Sequence, residues 1–476
     1  MDITKMPLSG ATRKEHDLLG DKLVPVEYYF GVQTMRAMEN FNISRVRLHF
    51  FPALIKGFAI VKQAAAMANR DLGQLPEDKA AAIIQACEEV KDGQLLQHFV
   101  VDMVQGGAGT STNMNANEVI ANRALEIMGY GKGNYAVIHP NNHVNMSQST
   151  NDAYPTAVKL AVLFSTQRLI KDIKLLVESL DKKGKEFANI IKMGRTQLQD
   201  AVPMTLGQEF GAYAANLKEE VARLTSNARL FFEVNMGATA IGTGINADPD
   251  YTPLCVKHLK EISGFDIKAA ENMIEATNDT GAFVIFSSAV KRLAVKLSKL
   301  CNDLRLLSSG PRCGLSEINL PAMQPGSTIM PGKVNPVIPE VVNQVAYKVF
   351  GNDLTVTFAA EAGQLELNVM EPIIVHSLFE SIEMLSNAMN TLREKCIDGI
   401  TANEEHLRKM VYNSIGLVTA LNPYLGYDVS TKLAATALET GRGVYELVLE
   451  QELMSKEELD DVLKPENMVK PRKFQR

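Results

Sequence analysis

Cysteine is scarce in this sequence of 476 residues, and tryptophan is absent. The five cysteines are odd in number and lack the CxxC spacing of a metal or redox motif. The eight histidines form no HExxH motif, and Pro140 between His139 and His143 disfavours a single helix face that presents both rings. The sequence therefore predicts neither a disulfide framework nor a metal site, and it suits a reducing cytoplasm. The cysteines are Cys87, Cys255, Cys301, Cys313 and Cys396.

Long apolar runs and an excess of positive charge are also missing. No run approaches the roughly 18 apolar residues of a membrane-spanning helix, and residues 1–20 lack the apolar segment of a signal peptide. A net charge of −6 disfavours nucleic acid as a partner, because phosphate binding needs a basic face. We therefore expect a cytoplasmic protein with no membrane or nucleic-acid partner. Small anions stay possible, since a local group of cations and backbone N–H groups can bind one.

What the sequence does contain is long helical patterns. Apolar residues recur at three- and four-residue spacing over residues 158–180 and 290–304. Residues 340–370 carry apolar side chains around most of the helix circumference, which predicts a helix surrounded by other helices. A helix of about 30 residues would span roughly 45 Å, too long for one compact domain to enclose. No alternating pattern is long enough for a substantial sheet, so the sequence predicts an all-α bundle that also packs against other subunits.

The most informative segment is residues 326–336, GSTIMPGKVNP. Its glycines and prolines exclude a continuous helix, so we expect a mobile loop that presents Ser327, Lys333 and Asn335 to a small anion. A phosphate-binding P-loop does not fit, because five residues separate the glycines and Val334 follows the lysine. By residue chemistry alone, an ordinary surface turn is an equal alternative.

This segment resembles the GSSxMxxKxN loop of the aspartase/fumarase superfamily. Two further blocks match in the expected order: residues 106–115, GGAGTSTNMN, and residues 139–152, HPNNHVNMSQSTND. The resemblance extends from residues 17–20 to residues 399–403. It implies a three-domain, all-α fold with an N-terminal domain (residues 1–148), a central bundle of long helices (149–402) and a small C-terminal domain (403–476). It also implies a homotetramer with a multi-helix core, in which three chains contribute to each site.

The superfamily eliminates an amine or an oxygen leaving group from succinyl-type substrates and releases fumarate. The resemblance implies that Ser327 is the general base and that a set of polar side chains binds substrate. Taken singly, each of these hydroxyls could instead be a helix cap or a turn hydrogen bond. The implied binding residues are Thr110, Ser149, Thr150, Asn151, Thr196, Gln197, Thr328, Lys333 and Asn335.

Within the superfamily, residues 149–152 (STND) and 194–197 (GRTQ) resemble the aspartate-specific ammonia-lyase branch, as does Asn142. The alternatives are a class II fumarate hydratase and a catalytically silent structural protein of the crystallin kind. Two positions depart from the common pattern: Thr328 replaces the second serine of the loop, and Gln197 stands where many relatives have histidine. We expect no organic cofactor, and activation by a divalent cation such as Mg²⁺ is implied by resemblance only.

Overall fold

α-Helices account for most of the residues that the computed structural model describes, which are residues 8–471. The helices are α1 (Val32–Asn40), α2 (Pro52–Asp71), α3 (Glu77–Lys91), α4 (Thr110–Ile127), α5 (Thr150–Glu186), α6 (Leu206–Ala228), α7 (Tyr251–Ser263), α8 (Met273–Asn278), α9 (Gly281–Leu307), α10 (Val337–Glu361), α11 (Glu371–Lys395), α12 (Glu404–Asn413), α13 (Val418–Leu425), α14 (Tyr427–Thr440), α15 (Val444–Glu450), α16 (Lys456–Val462) and α17 (Pro465–Met468).

The strands are few and short. They are β1 (Thr12–Asp17), β2 (Gly20–Pro25), β3 (Ile191–Thr196), β4 (Gln199–Thr205), β5 (Glu233–Val234), β6 (Lys268–Ala269), β7 (Ile318–Asn319) and β8 (Thr401–Ala402). They pair in sequence order, β5 with β6 in parallel and the other pairs antiparallel. Among residues 8–471 no sheet has more than two strands, so the predicted all-α class is confirmed.

The predicted helices over residues 158–180 and 290–304 lie within α5 and α9. The prediction for residues 340–370 was wrong over its last part, residues 362–370, because α10 ends at Glu361. The Asn368 side chain donates to the carbonyl oxygens of Ala359 and Ala360, at 3.0 and 3.2 Å, and its Oδ1 accepts from the N–H of Met370. The Asn368 amide thus satisfies carbonyl groups at the end of α10, and apolar content alone does not reveal such a cap.

The residues group into two compact units. Within the described residues, the first comprises residues 8–170, 222–292 and 347–384, and the second comprises residues 171–221, 293–346 and 385–471. In the first unit Gly57 lets α2 approach α5 closely, since a Cβ at that position would lie 2.2 Å from the carbonyl oxygen of Ala157. The three-domain division implied by the resemblance stays a prediction.

The second unit has an apolar core in which the C-terminal helices pack on strand β3. Ile191 and Met193 of β3 are buried among apolar side chains such as Val411, Leu421 and Leu447. The chain remains packed as far as Val469, whose carbonyl oxygen accepts from Gln208 Nε2 at 3.0 Å. Residues 464–476 are basic and contain proline, which predicts a loose tail, and this prediction is wrong as far as Val469. Residues 472–476 lie outside the described residues. None of the helices formed by residues 8–471 combines the length and apolar character needed to span a bilayer.

Candidate active site

The first group of predicted site residues lies at two helix N-termini in the first unit. Helix α4 begins at Thr110, directly after a turn in which Gly107, Ala108 and Gly109 all have positive φ angles of 93°, 54° and 89°. A Cβ on Gly109 would lie 2.3 Å from the buried ring of Tyr154, so only glycine fits there. The Thr110 hydroxyl is exposed and donates to the carbonyl oxygen of Gly107 at 2.8 Å.

Helix α5 begins at Thr150 with a reciprocal cap. Ser149 Oγ accepts from the N–H of Asn151 at 3.2 Å, and Asp152 Oδ1 accepts from the N–H of Ser149 at 2.9 Å. Asp152 also accepts from the N–H groups of Gly237 and Thr239, at 3.2 and 2.9 Å. Burial raises the pKa of Asp152 to about 7, and these backbone N–H donors oppose that shift. Ser149 is therefore both a cap and a candidate substrate contact.

Asn113 joins the two helix N-termini. Its Nδ2 donates to Thr150 Oγ1 at 3.1 Å, one turn along α4 from Thr110. The first N–H groups of a helix lack intrahelical partners and carry partial positive charge, which favours anions. The two helix ends, with the Thr110, Ser149 and Thr150 hydroxyls, therefore suit a carboxylate. Asn151 Nδ2 is already engaged, because it donates to the carbonyl oxygen of Ala240 at 2.8 Å, so Asn151 would contact substrate through Oδ1 as an acceptor.

A fully buried lysine behind this group was missed by the sequence prediction. Lys62 Nζ donates to the side-chain oxygens of Asn113, Asn145 and Gln148, at 2.6, 2.9 and 2.8 Å. The available signal was a single cation in residues 58–66, a stretch that is apolar apart from Lys62 and Gln63. Asn115 and Glu118, further along α4, support loops: Asn115 accepts from the N–H of Val100, and Glu118 from that of Gly31.

Thr196 and Gln197 lie at the tip of the β3–β4 hairpin in the second unit. Thr196 pairs with Gln199, and the two residues between them, Gln197 and Leu198, have φ angles of 52° and 64°. Positive φ at both central positions is the signature of a type I′ turn, which glycine and asparagine usually occupy. The turn exposes the Thr196 and Gln197 side chains to solvent.

A buried ion-pair cluster anchors this hairpin within the second unit. Glu317 is fully buried and contacts two cations of β3: Lys192, at 2.8 Å between Oε2 and Nζ, and Arg195, through Oε1 and Nη1. Lys192 also contacts Glu209 at 2.6 Å. Charges taken out of water need such partners, because an unpaired buried charge is costly. The cluster fixes the backbone directly before Thr196, and no pattern in the sequence predicts it.

Ser327, Thr328, Lys333 and Asn335 lie together on one loop between α9 and α10, as the sequence predicted. The N–H of Gly326 donates to the carbonyl oxygen of Lys333, and Asn335 Nδ2 donates to that of Gly326, both at 2.7 Å. A Cβ on Gly326 would lie 2.7 Å from the same Lys333 oxygen, so this closure requires glycine. The loop presents the exposed side chains of Thr328 and Lys333.

The hydroxyl oxygen of Ser327 accepts two backbone hydrogen bonds. The N–H groups of Ile329 and Met330 donate to it at 3.2 and 3.0 Å. Donors aimed at an oxygen favour its negatively charged form. A cavity of about 570 Å³ beside the loop is bordered by Lys333, Asn335 and Asn319, all of the second unit. The donors to Ser327 Oγ thus favour an activated oxygen, and the cavity beside Lys333 and Asn335 offers space for a small anion.

Among residues 8–471, no group of three or more His, Cys, Asp and Glu side chains is arranged so that it could hold a metal ion. The cysteines are unpaired, and Cys313 alone among the five is exposed. The expectation of activation by Mg²⁺ therefore gains no support from these residues.

Comparison with protein families gives two matches. A model described as lyase matches residues 20–351, and one described as fumarase C C-terminus matches residues 417–470. Aspartate ammonia-lyase from Pseudomonas aeruginosa is 62% identical, with 97% of this chain and 98% of that protein covered. Aspartate ammonia-lyase from Escherichia coli K12 is 56% identical, with 98% and 97% covered.

Solved structures give the same relationship. A fumarate lyase:delta crystallin from Brucella melitensis, bound to cobalt, has a TM-score of 0.94 and 56% identity, covering 97% of this chain and 100% of that chain. Recombinant class II fumarase from Schistosoma mansoni has a TM-score of 0.90 and 37% identity, covering 96% and 99%. The fold is thus shared with this fumarate lyase:delta crystallin and with this fumarase. In sequence, the chain is more similar to the two ammonia-lyases above, at 56–62% identity, than to the fumarase, at 37%.

Proposed function

Since the chain belongs to the aspartase/fumarase superfamily of lyases, we propose that it catalyses the reversible elimination of ammonia from L-aspartate to give fumarate. The observation that carries this function is identity of 56–62% to aspartate ammonia-lyases over nearly the full length of both chains. A carbon–nitrogen lyase of this kind needs a base for a weakly acidic C–H, stabilisation of the resulting dianionic aci-carboxylate, and a held leaving group. The predicted residues offer a group for each need.

Ser327 is assigned as the base. Its oxygen removes the proton from the carbon next to one carboxylate, and the electron pair moves into that carboxylate to form the aci-carboxylate. Collapse of this intermediate forms the double bond and expels the amine. A serine hydroxyl is a weak base, so the alkoxide must be stabilised in advance. The N–H groups of Ile329 and Met330 that donate to Ser327 Oγ support that role, and Lys333 adds a positive charge on the same loop.

Two anion sites are assigned to the two carboxylates. Lys333 and Asn335 bind one, and Thr110, Ser149 and Thr150 bind the other, aided by the N-termini of α4 and α5. Preorganised donors at the position where charge develops contribute on the order of 3–4 kcal/mol each to lowering the barrier. Thr196, Gln197 and Asn151 hold the amino end, and Thr328 adds a hydroxyl donor to the loop. No organic cofactor enters this scheme.

The preferred substrate is expected to be L-aspartate rather than L-malate. Gln197 offers a neutral amide beside the leaving group, where an imidazolium would repel an ammonium. Specificity constants for both substrates, measured side by side through fumarate absorbance, test this expectation. A Gln197→His variant should shift the ratio toward malate, and glutamate should be rejected because its extra methylene displaces one carboxylate. A malate constant equal to or above that for aspartate would place the chain in the fumarase branch.

A homotetramer is proposed as the active form, with each site drawn from three chains. The support is an exposed apolar stripe along α10: Tyr347, Leu354 and Phe358 recur at helical spacing and are 57%, 56% and 65% exposed. A stripe of this kind along a long helix marks a protein interface. The loop adds exposed apolar residues, with Ile329 at 83%. Free cysteines and the bacterial relatives support a cytoplasmic location.

Light scattering should give about four times the 52.2 kDa mass of one chain. Complementation tests the shared sites: when inactive Ser327→Ala and Thr110→Ala subunits are unfolded and refolded together, some sites receive both intact groups and activity returns. Refolding each variant alone is the control and should give none. A fully active monomer at working concentration, or no recovery in the mixture despite mixed tetramers, would contradict the proposal.

A further inference from the structure

The buried ammonium of Lys62 is the centre of a network of amide side chains in the first unit. Its three hydrogen bonds go to the oxygens of Asn113, Asn145 and Gln148. An ammonium has three N–H donors and no acceptor, so all three amides must turn their oxygens toward it. Burial lowers the pKa of Lys62 to about 7 and the charge of Asp152 opposes this; the other titratable groups facing it are the thiols of Cys87 and Cys255. A neutral amine has only two hydrogens and would leave one of the three oxygens without its donor.

The orientation of the Asn113 amide follows from this contact. With Oδ1 held by Lys62, Nδ2 must face the other way, where it donates to Thr150 Oγ1 and to Asn145 Oδ1, both at 3.1 Å. Asn145 Oδ1 also accepts from Asn117 Nδ2, at 3.0 Å, which fixes the orientation of the Asn145 amide as well. An asparagine amide can in principle flip end for end. The ammonium removes that freedom, because a flip would point two N–H groups at a cation.

The Thr150 hydroxyl is in turn constrained by Asn113. Because Thr150 Oγ1 accepts from Asn113, its own hydrogen cannot lie along that contact and is left to donate elsewhere. In the proposed reaction the partner is the substrate carboxylate bound at the N-termini of α4 and α5. That carboxylate gains charge in the transition state if it becomes the aci-carboxylate, and a donor fixed in advance then needs no reorganisation.

We propose that Lys62 is a positioning residue for the elimination, which acts through Asn113 to keep the Thr150 hydroxyl hydrogen directed at the substrate. This inference deepens the proposed function and rests on it. Lys62 itself does not touch substrate in this scheme. Its effect passes along one chain of contacts: Lys62 Nζ to Asn113 Oδ1, Asn113 Nδ2 to Thr150 Oγ1, and Thr150 to the carboxylate.

The test is the isosteric substitution Asn113→Asp. The carboxylate still accepts from Lys62, which keeps the central contact of the network. It cannot replace the hydrogen bond that Asn113 Nδ2 donates to Asn145 Oδ1, so some loss of melting temperature is expected. It accepts from Thr150 as well, which turns the hydroxyl hydrogen away from substrate. We expect kcat for aspartate to fall about 100-fold, the effect of losing one preorganised donor. A purely structural role for Asn113 predicts a lower melting temperature with an unchanged kcat of the folded enzyme.

A double-mutant cycle with Thr150→Val separates this route from others. If Asn113 acts through the Thr150 hydroxyl, then Asn113→Asp should change kcat less than about threefold when it is added to the Thr150→Val variant. The matched control is Asn115→Asp, a buried asparagine of the same helix whose Nδ2 donates to the carbonyl oxygen of His98 at 2.9 Å. That control should lower the melting temperature and leave kcat of the folded protein within about threefold.

Lys62→Met provides a second route to the same cycle, because it removes the ammonium and frees the Asn113 amide. Lys62→Met should lower kcat in the parent, where Thr150 is present, and leave kcat nearly unchanged when it is added to the Thr150→Val variant. The inference is overturned if folded Asn113→Asp keeps more than a third of the parent kcat, or if its loss and that of Thr150→Val multiply in the double variant. If Asn113→Asp does not fold, Lys62→Met decides by the same two criteria. If instead the parent enzyme releases no fumarate from aspartate, the proposed function fails, and that result is distinct from each of these.

Discussion

Replacing Ser327 with alanine is expected to lower turnover of aspartate by roughly 10²- to 10⁴-fold, the usual contribution of a positioned base. The substitution removes the oxygen that accepts from Ile329 and Met330, and leaves the backbone closure of the loop by Gly326, Lys333 and Asn335 intact. The fold and the oligomer should therefore persist. Steady-state kinetics with aspartate, together with a thermal melt, measure both parts of the expectation.

Two further loop variants serve as comparisons for Ser327→Ala. Thr328→Ser restores the usual second serine of the superfamily loop and should keep turnover within a few-fold of the parent. Lys333→Ala should lower turnover and also raise the Michaelis constant for aspartate, because a charge-assisted contact to a substrate carboxylate contributes about 1.5–3 kcal/mol to binding. A Ser327→Ala enzyme with more than a tenth of normal turnover would show that another group is the base.

The second large effect is expected from Glu317→Gln. This change leaves the charges of Lys192 and Arg195 in place and removes the carboxylate that they share. Breaking a buried ion pair from one side typically costs about 3–5 kcal/mol, because the remaining charge is left without a partner. Lys192 keeps Glu209, so Arg195 should carry most of the penalty. Denaturant unfolding measures it, and aspartate binding should weaken because the hairpin that carries Thr196 and Gln197 loses its anchor.

An exposed ion pair of the same unit is the control for Glu317. Lys409 and Glu405 are 68% and 85% exposed, and Glu405→Gln should leave both the unfolding midpoint and the kinetics unchanged. If Glu317→Gln were as mild as this control, the cluster would not anchor the hairpin. If it destabilised the unit but left aspartate kinetics unchanged, the link from the cluster to Thr196 would be wrong.

Helical periodicity and short polar motifs were sufficient to predict the fold class and the position of the loop that carries Ser327. The periodicity over residues 158–180 and 290–304 reflects side chains that pack on neighbouring helices, so it reports structure directly. The loop prediction rested on Gly326 and Gly332, whose backbone demands are local: Gly326 allows the closure onto Lys333, and Gly332 has a φ of 80°. Signals that act within a few residues are visible in a single sequence.

What escaped prediction depends on contacts between distant residues. Lys62 and Asn113 are separated by 51 positions and meet only after α2 and α4 have packed. Glu317 lies 122 positions from Arg195, and neither residue is unusual in its own stretch of sequence. The end of α10 likewise depends on Asn368, a side chain that lies beyond the last helical residue, Glu361. Such polar contacts have no periodic pattern and become evident only in three dimensions.

The type I′ turn at the hairpin tip has a consequence for how the sequence can change over time. Left-handed backbone costs an ordinary residue roughly 1–2 kcal/mol, and Gln197 and Leu198 both adopt it. The folded state is thus less stable than it would be with glycine at these two positions. Part of this loss arises because position 197 keeps a glutamine, whose side chain is a predicted substrate contact. Position 198, where the leucine is 70% exposed, is the place where glycine would recover stability without removing a predicted substrate contact. Selection for thermal tolerance is expected to act there first, and selection on substrate choice at the neighbouring position.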